Sequence, residues 1–95
     1  MLDRNSVVTL KRGFRLQWEE VQQANVLLYP EGMVKLNDSA AEILKRCDGQ
    51  KSVNEVITDL QNSFPDAPDL SADVLEFLTI ALQKVWIEIV KTDLS

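Results

Sequence analysis

The run Asn25-Val26-Leu27-Leu28-Tyr29-Pro30-Glu31-Gly32-Met33-Val34-Lys35-Leu36-Asn37 leaves this chain few choices of fold. An apolar stretch meets Pro-Glu-Gly, where proline takes the second place of a type I turn and glycine the fourth, with Gly32 free to adopt a left-handed backbone. A shorter apolar stretch follows and stops at Asn37, a residue type that caps helices. Strand, tight turn, strand and helix cap thus succeed one another without a linker. The second strand is expected at a sheet edge, where unpaired backbone donors and acceptors must be blunted, covered or used to recruit another chain.

The flanks extend this pattern. Upstream, Phe14, Leu16 and Trp18 alternate with Arg15 and Gln17, the signature of a strand with one buried face. Val26 to Tyr29 is apolar on both faces, which suits the middle strand of a small sheet or a sheet whose outer face meets a partner. Downstream, Ala40, Ile43, Leu44 and Cys47 form one helical stripe, ended by Asp48-Gly49. Ser52 and Glu55 form a capping-box pattern for a second helix with the stripe Val53, Val56, Ile57, Leu60 and Phe64. Pro65 to Pro68 break the chain before a third helix from about Ala72 to Lys84, capped by Ser71 or Asp69. Its stripe Val74, Phe77, Leu78 and Ala81 is widened by Leu75 and Leu82, an arc broad enough to touch more than one neighbour and to line a groove. Trp86 to Val90 fits either an extension of that helix or a short strand.

Residues 1–10 show little periodicity and read as a flexible arm, although Val7, Val8 and Leu10 could pair locally or wrap the domain. Residues 11–90 are then expected to form a single domain, whose open edge strand suits it to recognise a peptide, and residues 91–95 a tail. The expected fold is α+β: a three-stranded antiparallel meander followed by a three-helix bundle, winged-helix-like in order.

Composition removes most chemistry. Ninety-five residues make one modest core and leave no room for a separate substrate domain. The chain has no histidine and one cysteine, so Ser-His-Asp triads, Cys-His dyads, Cys/His zinc sites and an intrachain disulfide all fall away. Cys47 sits on the core stripe of its helix and reads as a structural thiol. The acidic pairs Glu19-Glu20 and Asp66/Asp69 lie in polar connectors, where solvated carboxylates are the ordinary case, and no metal site, cofactor site or catalytic residue is assigned. Without an apolar signal core or a run long enough to cross a bilayer, the expected setting is the cytoplasm, away from membranes.

Three other readings compete. A carrier protein with a modified serine at Ser39 or Ser71 does not suit three N-terminal strands, and both serines are better placed as capping residues. A winged-helix DNA-binding regulator needs a cationic recognition helix, whereas Leu70 to Val90 holds Lys84 against Asp73, Glu76 and Glu88. The net charge of −5 argues in the same direction, against nucleic acid. The basic residues Arg4, Lys11, Arg12 and Arg15 are explained at least cost as a solvated arm. A purely structural subunit is the third reading.

Arg12-Gly13-Phe14-Arg15-Leu16-Gln17-Trp18-Glu19, the hairpin string Leu27 to Asn37, Ile43-Leu44 with Asp48-Gly49, and Asp73-Val74-Leu75-Glu76-Phe77-Leu78 together resemble the PqqD family from about Lys11 to Ile87. The resemblance implies a peptide chaperone of pyrroloquinoline quinone (PQQ) biosynthesis, a precursor-peptide recognition domain without catalytic activity. It implies two partners: the ribosomal precursor peptide PqqA, and the radical S-adenosylmethionine maturase PqqE, which carries iron–sulfur clusters and cross-links a Glu and a Tyr of the peptide. It further implies that the peptide adds as a strand to the third strand of the sheet, beside the third helix. Carried over, the binding edge is Met33, Val34, Lys35 and Leu36, and the opposite wall is Leu75, Leu78, Thr79 and Leu82. An open edge also pairs with a second copy, so a monomer or weak homodimer is expected. Where the family commonly closes the third helix with Gly-Trp, this chain has Val85-Trp86.

Overall fold

The computed structural model describes residues 2–90. Its elements run β1 (Val7–Leu10), β2 (Arg15–Glu19), β3 (Ala24–Tyr29), β4 (Gly32–Lys35), α1 (Asp38–Lys45), β5 (Asp48–Ser52), α2 (Val53–Ser63), α3 (Ser71–Gln83) and β6 (Ile87–Ile89). The expected meander is present as the antiparallel sheet β2-β3-β4, with Leu16, Leu27 and Val34 in register on its inner face. Helix α1 packs across β2 and β3 and shares one apolar core with α2 and α3. The α+β class holds.

A second antiparallel sheet, ordered β5-β1-β6, corrects the reading of the N-terminus. Val7–Leu10 is its central strand, and Val8 is 0% exposed. Burying one such side chain contributes about 1.5–3 kcal/mol, which adds to the ladder bonds that the strand makes on both sides. The segment gave no local signal because four residues carry too little alternation and both partner strands lie far along the chain.

The same sheet shortens the first helix. Asp48 and Gly49 open β5 instead of closing α1, which stops at Lys45 with Arg46 as its C-cap. Gly49 does adopt a left-handed backbone, at φ +82, where β5 is irregular against β1. A side chain there would meet Thr9 at 3.5 Å from its Cβ.

Local capping explains where the helices start. Asn37 accepts the Ala40 amide at 2.8 Å, and Ser52 and Glu55 complete the capping box of α2. The start of α3 differs from expectation: Leu70 occupies the cap position without a side-chain bond, while Asp69 accepts the Ser71 amide at 2.9 Å. At the other end, Trp86 donates its amide to the Ala81 carbonyl and Val85 to that of Leu82. This pair of bonds is the Schellman arrangement, which requires a left-handed residue and is usually closed by glycine. Here Val85 fills that place at φ +62, and the chain leaves it as strand β6.

Candidate binding groove

One backbone bond orients the edge strand. Leu36 donates its amide to the carbonyl of Asn25 at 2.9 Å. Bonded and non-bonded residue pairs alternate along an antiparallel ladder, so in the register Val26↔Lys35, Leu27↔Val34 and Leu28↔Met33 it is Val34 that bonds to β3. Met33 and Lys35 therefore turn their N–H and C=O groups to the open edge. Their side chains are exposed as well, whereas Val34 packs on the core and Leu36 is buried in it.

Where β4 runs into α1, a hollow of about 630 Å³ opens between α1, the end of α2 and α3. Ala40 and Ile43 of α1 line it with the cap residue Asn37, Leu60 of α2 with its C-cap Phe64, and Val74, Phe77 and Ile80 of α3 with its N-cap Leu70. Its floor is apolar, and Asp38, Asp73 and Glu76 stand on its rim. Ile80 is 41% exposed and Phe64 44%, so apolar surface remains open to a ligand. This surface is small and concave, the form that takes side chains of an extended peptide.

Beneath the hollow, α1 is fastened to α2 by Arg46. Its guanidinium donates to Asp59 at 2.7 Å, to the Glu42 carboxylate at 2.9 Å and to Ser63 at 3.1 Å. The Arg46 hydrogen bond holds the Glu42 carboxyl below its ordinary value, against the opposing effect of burial. Cys47, next in sequence, is buried and donates its thiol to the Ile43 carbonyl at 3.3 Å. Burial, with Asp48 nearby, pushes its pKa to about 12, so it is a structural thiol and no nucleophile. Among the described residues no group of carboxylates and cysteine is placed to hold a metal, and no helix is long and apolar enough to cross a membrane.

The edge half of the expected site, Met33 to Leu36, leads directly into this hollow, although Leu36 itself turns its backbone to Asn25 and its side chain to the core, so that Met33 and Lys35 carry the open edge. The helix half does not reach it. None of Leu75, Leu78, Thr79 and Leu82 lines it: Leu78 is 0% exposed in the core, and the exposed Thr79 bonds its hydroxyl to the Leu75 carbonyl. At about 100° per residue, Leu75, Thr79 and Leu82 lie roughly 140–160° around the helix from Phe77. The wall is Leu70, Val74, Phe77 and Ile80, at spacings of four, three and three. That periodicity was available in the sequence, but the broad apolar arc of α3 contains two such stripes.

The family model described as Coenzyme PQQ synthesis protein D (PqqD) matches residues 24–87, from β3 through α3 to the start of β6. The chain belongs to the PqqD family. The matched stretch contains both the edge strand and every residue that lines the hollow. A protein of Azotobacter vinelandii named PqqA binding protein is 52% identical over 85 residues, which cover 90% of this chain and 92% of that protein. A Klebsiella pneumoniae protein of the same name is 49% identical over 86 residues, 90% of this chain and 94% of that one. The fold is likewise that of a solved PqqD. The solution NMR structure of the PqqD truncation of Methylobacterium extorquens PqqCD superimposes with a TM-score of 0.77 at 34% identity, covering 93% of this chain and 95% of that one. That truncation is described as a functional, stand-alone recognition element for ribosomally synthesized and post-translationally modified peptides. These PqqD relatives are named for binding and not for catalysis, in agreement with the non-catalytic reading of the sequence.

Proposed function

We propose that this chain is a peptide chaperone of PQQ biosynthesis that binds the precursor peptide PqqA as an added strand on β4 and presents it to the radical S-adenosylmethionine maturase PqqE. The observation that carries the reading is the outward-facing backbone of Met33 and Lys35 beside an open apolar hollow. The names of the relatives supply the ligand.

Energetics explains why both parts are needed. A backbone hydrogen bond contributes about 1 kcal/mol net, while ordering a free peptide costs about 1–2 kcal/mol per residue. Strand addition alone therefore comes out near zero. One large apolar side chain seated on Phe77 and Ile80 adds about 1.5–3 kcal/mol, which moves the balance to binding.

Presentation to PqqE is compatible with this binding mode. A peptide held along one edge leaves the rest of its length free to enter an enzyme, and the chain's own part is to bind and orient. The same edge serves a second copy in the absence of peptide, so monomer and weak homodimer exchange and PqqA competes with self-pairing.

Titration of ¹⁵N-labelled protein with PqqA tests the reading. Shift changes are expected along residues 32–40 and on the Asp73, Phe77 and Ile80 side of α3. Changes confined to the second sheet, or none at saturating peptide, would overturn it. Addition of PqqE to the complex should give a ternary species that neither protein forms with PqqA-free partner at the same concentration.

A further inference from the structure

A second hollow, of about 420 Å³, lies at the other end of β4, where the turn Tyr29-Pro30-Glu31 meets Lys11, Arg12 and Phe14 and the end of α3 at Lys84, Val85 and Trp86. The two hollows lie at opposite ends of β4, each between residues that flank the strand and residues of α3 or its end. Asn37, just after β4, faces the Asp73–Ile80 part of α3 in the first, and Glu31, just before β4, faces Lys84 and Val85 in the second. Strand and helix thus run antiparallel as the two sides of one cleft, with a hollow at each end.

The ends carry opposite charge. The second hollow has three cations, Lys11, Arg12 and Lys84, against the single carboxylate of Glu31, on a chain whose net charge is −5. Lys11 reaches Glu88 only at 3.8 Å, with both side chains about half exposed, a pairing of small energy. Arg12 makes no ion pair among the described residues. Lys84 stands 5.8 Å above the Trp86 ring, and the Phe14 and Tyr29 rings stack at 5.2 Å to form an apolar wall. Cations against such a wall attract an anion more strongly than cations in open water. The strained backbone of Val85, at φ +62, sits between Lys84 and Trp86 and fixes their relative placement. At the first hollow the rim residues Asp38, Asp73 and Glu76 would repel the same anion.

We infer that the hollow beside the hairpin turn is a second subsite of the peptide cleft, which takes an Asp or Glu side chain of the bound peptide while an apolar side chain fills the first hollow. The inference rests on strand addition to β4. Glu31 and Asn37 are six residues apart, so the two anchoring side chains of the peptide are separated by about six residues, roughly 20 Å of extended chain. A peptide laid in the reverse sense brings its carboxylate to the acidic rim, so charge selects one direction along the edge.

The test measures PqqA affinity for the wild type, Arg12→Gln, Lys84→Gln, the double variant and Lys35→Pro, each checked by circular dichroism, with every Asp and Glu of PqqA neutralised in turn. Each cation removed is expected to weaken binding about five-fold at low salt, and less at high salt. One neutralised position of PqqA should reproduce that loss against the wild type and add nothing against the double variant. Unchanged affinity of the double variant at low salt, with Lys35→Pro impaired, overturns the subsite and leaves strand addition standing. Unchanged affinity of Lys35→Pro overturns strand addition and the subsite with it. Arg12→Gln lies outside regular secondary structure and decides the matter alone if Lys84→Gln fails to fold.

Discussion

Leu36 and Asn25 are joined by one amide-to-carbonyl bond of 2.9 Å, and that bond determines which backbone groups of the edge strand face outward. Lys35→Pro removes an outward N–H and Val34→Pro an inward one. Lys35→Pro should therefore keep its melting temperature within a few degrees and bind PqqA about five- to ten-fold more weakly, the equivalent of one lost hydrogen bond. Val34→Pro should lower stability instead. Calorimetric titration alongside thermal melts separates the two, and an equal affinity loss per folded molecule in both would contradict the assigned ladder.

The faces of α3 separate in the same way. Leu78→Ala opens a cavity in the core and should cost about 2–5 kcal/mol of stability, with affinity per folded molecule unchanged. Phe77→Ala removes part of the hollow's wall and should weaken PqqA binding about ten-fold with a smaller loss of stability. Urea melts and binding isotherms on both variants check this, and the opposite pattern would return the wall to the Leu75–Leu82 side.

Val85 occupies a left-handed position that costs a residue with a Cβ about 1–2 kcal/mol, and more freedom is lost when glycine is ordered there. Val85→Gly should accordingly raise stability by about 0.5–1 kcal/mol, a gain of several degrees in melting temperature. A loss would show that the valine side chain, and not the backbone, matters at that corner.

Acid should loosen the joint between α1 and α2. The Glu42 carboxyl is held below its ordinary value of 4.5 by Arg46, so the native state binds its proton less readily than the unfolded chain. The pairing contributes in full above the unfolded value and is lost as pH falls through the lower, folded one. Melting temperature should thus drop below about pH 4.5 in the wild type. Arg46→Gln should be less stable by about 1–2 kcal/mol at neutral pH and show a flatter acid limb. Equal slopes for the two proteins would assign the acid sensitivity to other carboxylates, of which Asp48 and Asp69 also titrate low because each accepts a backbone amide.

Cys47 offers a probe of global opening. With the thiol buried and its pKa near 12, a disulfide reagent should react only through unfolding, at a rate that rises with denaturant as the unfolded fraction does. Rapid labelling under native conditions would mean that α1 detaches locally.

What the sequence made legible was local. The hairpin, the Asn37 cap and the Ser52–Glu55 capping box each depend on residues within a few positions of one another, and the structure contains all three. Strands β1, β5 and β6 have three to five residues each and are ordered by one another, so none carries an alternation of its own to read. The expected helix residues and those that line the hollow differ for another reason. Val74, Leu78 and Ala81 fill the core of α3, and both flanks of that stripe are apolar. Only the positions of α1 and the second sheet decide which flank stays open.

The placement of β1 has a consequence for the order in which the molecule can assemble. Within β2-β3-β4, paired residues are at most 13 positions apart, whereas Val7 pairs with Ser52 and Val8 with Ile89, 45 and 81 positions further along. Contacts that close short loops form first, and those that close long ones form late. The sheet bearing the open edge is thus the early part of this domain, and the junction of its beginning with its end is the last.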